Sequence, residues 1–549
     1  MMKARFALLC LVIVLPAAAA VRVTVSPASV TLTTGTLTAF TVRVTGAGND
    51  RRVTWSVTCG AITPIGVYTA PAQAGTCFIR AQHVRSGVAG QATALVTEPL
   101  PPGAEPPSPP ASTCTGVDLG TDPAATVASH PAGTIYCLRP LTRIRATITP
   151  KNSDRFEGPG TLSGAVVLTG FQFDGTNYGL GGQSIEGSVH GECLPTYPRC
   201  NRSEELFLDR QRLRHVASLG ELGPGLWYFD YPADRVYLRD NPAGKVVELS
   251  VQPTAFQGSA TGVTLRHVTL EMFANPAQVG ALAGEQTIAW TVEDSVVRLT
   301  HGVGIRIGTQ MHVLRNIISG HGQLGIGGIG NDVLVEGNEI ATNNQAGFNP
   351  GWEAGGTKFV RTDRLVVRNN WVHHNLGPGL WTDIENIRTL YEGNTSEDNL
   401  RMGIFHEISY DAVIRGNVVR RNGFGFLPWL WGAGILVAAS PNVEITGNTV
   451  EGNADGIVGV QQNRGSGMYG PFYISNLWVH DNVVRQTAGQ SGLAQDIGDS
   501  SIFTSRNNRF ERNTYQEACG NRHWAWANAE RTWIEWRAAG QDAAGSCTP

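Results

Sequence analysis

The feature that most constrains this chain is a recurring asparagine. It closes the segments Val313-Leu-Arg-Asn316, Val335-Glu-Gly-Asn338, Val367-Arg-Asn-Asn370 and Tyr391-Glu-Gly-Asn394. It returns in Ile414-Arg-Gly-Asn417, Ile445-Thr-Gly-Asn448, Val479-His-Asp-Asn482 and Ser505-Arg-Asn-Asn508. Successive final asparagines lie 22, 32, 24, 23, 31, 34 and 26 residues apart, a base period lengthened by insertions. A second signature, Gly followed by Ile or Leu, comes after most of them: Gly325-Ile, Gly379-Leu, Gly403-Ile, Gly434-Ile and Gly456-Ile. Self-similarity at such a period marks a stack in which each repeat buries its apolar face only against its neighbours.

A coil of three short strands and three turns uses a little over twenty residues. Each strand then bonds the coils above and below at about 4.8 Å. An asparagine at the same corner of every coil can bond the backbone of the next corner, satisfying turn groups otherwise unpaired. The leucine-rich alternative needs an LxxLxL core that is absent. The fold class expected is therefore all-β, a right-handed parallel β-helix. The low charge, 16%, and the 66 glycines suit short strands joined by tight turns. A net charge of −3 gives no basic footprint for nucleic acid.

The rest of the chain divides around this repeat. Residues 1–20 read as a secretory signal peptide: Lys3 and Arg5, the apolar run Phe6 to Leu15, then small residues up to Ala20. The run is short for a bilayer span, and no later segment looks transmembrane. The expected location is secreted, periplasmic or at the cell surface. Residues 21–98 alternate with period two around Trp55 and Cys59, a small β-sandwich. Residues 99–113 are a proline-rich linker. The β-helix with its N-terminal cap is expected over 114–515. Its first part reads as cap and opening coils, and 200–250 as a β insertion or irregular coil. A C-terminal cap follows over 516–549. Eight cysteines remain after Cys10, in local pairs. In an exported chain they suggest Cys59–Cys77, Cys114–Cys137, Cys193–Cys200 and Cys519–Cys547.

The ladder also serves as a ruler for chemistry. Asp383 lies thirteen residues after Asn370, and Glu407 thirteen after Asn394. Both carboxylates should leave the same face on adjacent coils, with Trp381 and Phe405 in phase two residues earlier. Glu353, fifteen after Asn338, is expected beside Asp383, with Trp352 next to it. Stacked acids repel, so a purely structural sheet would avoid them. Two carboxylates on one face suit glycoside hydrolysis, with tryptophan faces as stacking platforms for sugar rings. Lys358, the only lysine in the repeat region, and Glu385, His406 and Tyr410 are candidate substrate-binding groups, with Trp429 as a cleft wall. The expected partner is a polysaccharide or oligosaccharide, with no metal or other cofactor. A calcium ion held by Asp383, Glu385 and Glu407 is the alternative. The competing enzyme class is a polysaccharide lyase or uronate epimerase using Lys358, Arg401, His406 and Tyr410. A surface adhesin or glycan-binding protein is the non-catalytic reading.

Three resemblances accompany these residues. The repeat region resembles the pectate-lyase-like superfamily of β-helix proteins. Residues 21–98 resemble bacterial immunoglobulin-like domains, which implies a spacer or adhesive module. Gly379-Leu-Trp-Thr-Asp383, followed one coil later by Glu407, is similar to β-helical glycosidases of glycoside hydrolase family 120, which includes β-xylosidases. That resemblance implies Asp383 as nucleophile and Glu407 as acid/base.

Overall fold

The computed structural model describes residues 114–548, and residues 21–97 apart from 27–28, 34–36, 47–49, 64–65, 72 and 74. The expected signal peptide and the whole of the expected linker lie outside the described residues. The chain divides into two compact units, residues 1–104 and 105–549.

The first unit is all-β. Strands Ser29–Thr33, Ala89–Thr97, Gly75–His83 and Val53–Val57 form one sheet, and Arg22–Ser26 pairs antiparallel with Thr41–Thr45. Phe40, Tyr68, Ile79 and Ala94 fill its centre, and Cys59–Cys77 ties it.

The second unit is the solenoid. One coil runs through strands Val366–Arg368, Trp371–His373 and Leu380–Asp383. The next repeats it as Thr389–Glu392, Thr395–Glu397 and Ile404–Glu407. Each strand pairs in parallel with its counterpart one coil away. Apolar residues stack inside: Val313, Val335, Val367, Tyr391, Ile414, Ile445 and Val479 are all buried in one core.

The asparagine ladder is present as a chain of bonds. The Asn370 backbone N–H donates to Asn394 Oδ1 at 3.1 Å, and the Asn370 amide donates to the same oxygen and to the Val335 carbonyl. The residue before each ladder asparagine is left-handed, as at Asn369 (φ 56°) and Gly393 (φ 64°), which turns the corner and aims the amide along the stack. The last rung differs from the sequence reading. Asn482 is followed by Asn513, and Asn508 sits in another turn, donating to the Ile474 and Ile502 carbonyls. The reason is packing: the position three before a rung must be buried and apolar. Phe510 meets that requirement and Ser505 does not.

A second ladder runs parallel to the first through Asn343, Asn375, Asn399, Asn422 and Asn453. The sequence reading did not separate it, although each member lies five residues beyond a first-ladder asparagine. A third corner is bonded by Thr362, Asn386, Ser409 and Ser440.

The insertion in the early coils is longer than the sequence suggested. Strand Arg155–Ser163 pairs directly with Thr264–Glu271, so nearly everything between them loops out of the stack. Ala165–Leu168, read as part of an opening coil, instead pairs antiparallel with Val247–Ser250. Its apolar run faces the insertion's own core of Leu206, Trp227, Phe229 and Leu238.

Both ends of the solenoid are covered. Helix Pro123–Ser129 buries Val127 at the start. At the other end, helix Trp533–Ala538 carries a capping box between Thr532 and Glu535 and buries Trp536. All four expected disulfides form, with Cα separations of 5.4, 5.7, 5.5 and 5.9 Å.

Candidate active site

The site lies on the outer face of the third strand of each coil. Alternation sends Leu380 and Thr382 inward and Trp381 and Asp383 outward. Parallel pairing sets Trp381 against Phe405 and Thr382 against His406, which brings Asp383 opposite Glu407. The two acids therefore project from one face of adjacent coils, about 4.8 Å apart at the backbone. Asn386 fixes the end of the first strand, donating to the Asp383 carbonyl at 2.8 Å.

Lys358 organises the acids. Its ammonium is 3.0 Å from Asp383 Oδ2 and 3.6 Å from Glu353 Oε2, and it donates to the Trp352 carbonyl at 3.0 Å. It also stands 4.2 Å from the centroid of the Trp381 ring. Asp383 Oδ1 is buried and has no hydrogen-bond partner among the described residues. One oxygen of Asp383 is thus held by a cation while the other is uncommitted.

Glu407 has a different environment. Burial, and then the neighbouring Asp383 charge, push its carboxyl up to about 7, although Arg464 and Lys358 act in the opposite sense. Arg464 comes from the loop after strand Asp455–Gln461 and ion-pairs with Glu407 Oε1. Nothing in the ladder pattern pointed to it, because an insertion has no register. The site is closed over here: Asp383 and Glu407 are only 6% and 7% exposed.

Glu353 reaches the site by a route other than the one expected. The residue in register with Asp383 on the preceding coil is Val360. Glu353 precedes strand Gly355–Val360 and converges through its partners. Its carboxylate meets Lys358, the Gln278 amide at 2.8 Å and Arg306 at 3.6 Å. Gln278 and Arg306 come from coils where the sequence reading assigned no site residue.

Several expected binding groups lie elsewhere. His406 points inward, bonded to Thr382 Oγ1 at 2.8 Å, and burial brings it down to about 3. It is a neutral core residue because even-numbered positions of this strand face the interior. The Tyr410 hydroxyl donates to the Gly470 carbonyl at 2.6 Å, and its ring packs on Tyr469 and Phe472. It anchors an insertion. Glu385 lies in the turn after Asp383, left-handed like Ile384 before it, and there takes Arg361 at 3.0 Å and the Met468 N–H at 2.7 Å. It does not converge with Asp383 and Glu407. With Lys358 on Asp383 and Arg464 on Glu407, the proposed calcium position is filled by protein cations. No group of three His, Cys, Asp or Glu among the described residues could hold a metal.

The aromatic residues also differ from expectation. Trp381 is buried, stacked on Phe405 at 5.5 Å and covered by Lys358, so neither face is free for a sugar. Trp352 packs against Phe348 and His190. Trp429 is turned outward, donating to Gln490 at 3.1 Å. Its neighbours Phe426 and Trp431 are the ones packed over Phe405, Leu430 and Leu436. Arg401 lies over the Phe426 ring at 4.2 Å, and burial brings it down to about 10.

A corner-laddered stack of parallel coils, with its polar cluster on one outer face, defines the class: the second unit is a right-handed parallel β-helix. The model of the right handed beta helix region matches residues 280–433, which include Lys358, Asp383 and Glu407. Similar solved structures include a complex of XylC with xylose: 14% identity, TM-score 0.53, covering 72% of this chain and 80% of that one. Others are the A-module of Azotobacter vinelandii mannuronan C-5 epimerase AlgE6 and the periplasmic alginate epimerase AlgG. The first has 13% identity and a TM-score of 0.43, covering 79% of this chain and 97% of that one. The second has 13% identity and a TM-score of 0.40, covering 66% and 72%. At these identities the likeness is one of fold. No curated protein sequence matches the chain.

Proposed function

We propose that this protein is a glycoside hydrolase with a retaining mechanism, Asp383 acting as nucleophile and Glu407 as acid/base. The observation that carries this reading is the contrast between two acids on adjacent coils. Asp383 is held by Lys358 with one oxygen uncommitted, and Glu407 is pushed up to about 7. A carboxyl raised by burial suits the acid, and a neighbouring carboxylate held by a cation with one oxygen open suits the nucleophile. In the first step Asp383 Oδ1 attacks the anomeric carbon as Glu407 gives its proton to the departing oxygen, leaving a glycosyl ester on Asp383. In the second step Glu407 takes a proton from water, which displaces Asp383 and regenerates both groups. A separation of one coil matches the roughly 5 Å spacing of retaining enzymes. Arg464 has to leave Glu407 for a sugar to enter.

The lyase or epimerase reading loses the groups it needs. Lys358 is already countered by Asp383 and Glu353, Arg401 is turned onto the Phe426 ring, and His406 and Tyr410 do not reach the site. Four disulfides suit an oxidising compartment outside the cytosol. Among the described residues no helix is long and apolar enough to cross a membrane. The first unit, read as an immunoglobulin-like module, would act as a spacer.

The test is a panel of aryl glycosides assayed with wild type, Asp383→Asn and Glu407→Gln. Xylosides come first, since XylC, of like fold, is known with xylose bound. Release of the aryl group by wild type alone, with retained anomeric configuration by NMR, is the expected result. Equal turnover by all three proteins would overturn the assignment, and an unsaturated product absorbing in the ultraviolet would show a lyase.

A further inference from the structure

The outer face that carries Asp383 and Glu407 continues in both directions, and the two directions differ. Beyond Glu407 the same column becomes Ala438, Val460 and Ala494, all buried and apolar. Phe426, Leu430 and Trp431 join the apolar cluster there. A ligand leaving the site cannot run that way along the face.

Toward the earlier coils the column of Asp383 passes to Val360, but the column beside it, two residues earlier in each strand, carries two cations. Ala283, Arg306, Gly327 and Lys358 follow one another in register, and Lys358 abuts Trp381. Gly327 adds no side chain to this floor between Arg306 and Lys358. Around Arg306 the face opens into a depression of about 360 Å³, within the usual size of a ligand pocket. Its lining includes Thr149, Gln257, Gln278, Glu285, Gln286 and Arg306.

This depression is coupled to the site. Arg306 pairs with Glu285, its Nε 2.8 Å from Oε1, and also faces Glu353, which Gln278 donates to. Glu353 in turn faces Lys358. Arg306 lies three coils before Trp381, about 14 Å at the inter-strand spacing. That distance is the reach of an oligosaccharide, longer than one sugar ring.

The lining also indicates the ligand's chemistry. Gln257 and Gln286 are exposed and make no side-chain hydrogen bond to the described residues. Free amides offer paired donors and acceptors, which is what sugar hydroxyls need. The cations present are countered: Arg306 by Glu285 and Glu353, Lys358 by Glu353 and Asp383. No unpaired positive charge lines the depression to favour a uronate or a sulfate ester.

We propose that the depression around Gln257, Gln286 and Arg306 is a distal subsite, which binds a neutral sugar ring of an oligosaccharide whose other end lies at Asp383 and Glu407. The proposal rests on the glycosidase reading, and its test separates the two. The variant is Gln257→Ala/Gln286→Ala, both surface positions outside the catalytic pair. The kinetic probes are an aryl xyloside and the xylose disaccharide and tetrasaccharide. In parallel, full-length Glu407→Gln protein, with and without the two alanines, is applied to an array of neutral and uronate oligosaccharides.

Two lost hydrogen bonds of about 1 kcal/mol each correspond to a fall of roughly thirtyfold in affinity. The expected result is that loss for the tetrasaccharide in kcat/KM or on the array, with aryl glycoside turnover unchanged. Turnover that needs Asp383 and Glu407 but shows the same chain-length preference in the variant would overturn the subsite and leave the glycosidase reading standing. Tighter binding of uronate than of neutral oligosaccharides would overturn the neutral ligand. No turnover of any glycoside and no binding on the array would overturn both.

Discussion

Two columns of this solenoid use the same backbone and do opposite things. The corner column repeats one residue: Asn338, Asn370, Asn394, Asn417 and Asn448 occupy equivalent places and make equivalent bonds. The outer column of the third strand changes at every step, from Val360 to Asp383, Glu407, Ala438 and Val460. Repetition at the corner satisfies a need that recurs in every coil, the unpaired groups of a tight turn. On the outer face no such need recurs, so a local break in the apolar run marks a demand peculiar to that level. Two adjacent buried acids are costly for the fold even when each meets a cation, and the proposed catalytic role gives a reason for that cost.

The sharpest way to break this comparison is to exchange the effects of the two columns. Asp383→Asn should lower turnover by about 10³-fold or more, the scale set by removing a group that acts in the transition state. Its melting midpoint should stay near wild type, since the repulsion on Glu407 goes together with the charge that pairs with Lys358. Asn394→Ala should do the reverse. It leaves the Asn370 N–H and the Val367 carbonyl without partners in a buried corner. The expected cost is about 2 kcal/mol or more, read as a lower unfolding midpoint by calorimetry with near-normal turnover of the folded fraction. A laddered corner whose loss left the midpoint unchanged would remove the basis of the contrast.

Lys358 belongs to both descriptions, since it pairs with Asp383 and packs on Trp381. Lys358→Met keeps the stem and removes the charge. Activity should fall about tenfold to a hundredfold, an effect on orientation and charge that leaves both acids in place. Lys358 lowers the Glu407 carboxyl. Its removal should therefore also move the alkaline limb of the pH–rate profile upward. An unchanged limb would show that Lys358 acts on Asp383 alone.

Arg464 makes a finer version of the same point. Glu407 must carry its proton to act as an acid, so kcat/KM should fall as the pH rises through about 7. Arg464 favours the charged form of Glu407. Arg464→Ala removes that influence, so the limb should move to higher pH, and KM should fall if Arg464 occupies the sugar's place. The pH–rate profile of the variant, compared with wild type, reads both.

How much of this was legible in the sequence follows from the same distinction. Period and phase are carried by the ladder, so the stacked coils and the alignment of Asp383 with Glu407 could be counted from Asn370 and Asn394. The last rung could have been read correctly too, because Phe510 and not Ser505 supplies the buried residue that a rung requires. Facing was also available: Trp381, Asp383, Phe405 and Glu407 share a parity, and His406 has the other. What the count could not supply was anything delivered by an insertion. Glu353, Arg464 and Trp431 reach the site from segments that interrupt the period, where residue number no longer fixes direction. Arg306 and Gln278 act from several coils away, a proximity that depends on the lengths of their side chains.

Trp429 gives the smallest expected effect and tests that boundary directly. It stands in the same insertion as Trp431, two residues away, yet it is 41% exposed and bonded to Gln490. Trp431 instead contacts Phe405 at 6.3 Å and Phe426 at 6.1 Å. Trp429→Ala should change turnover by less than about twofold and stability by no more than about 0.5 kcal/mol, the range of an ordinary surface substitution. Trp431→Ala should cost more, because it opens the apolar cover over Phe405, next to Glu407, and admits water to the wall that keeps Glu407 protonated. The observable is the alkaline limb of the pH–rate profile, which should fall toward the ordinary glutamate range in Trp431→Ala and stay in place in Trp429→Ala. If the two variants behaved alike, burial of the apolar cluster would not be what raises Glu407, and the contrast between the polar and apolar stretches of this face would lose its chemical consequence.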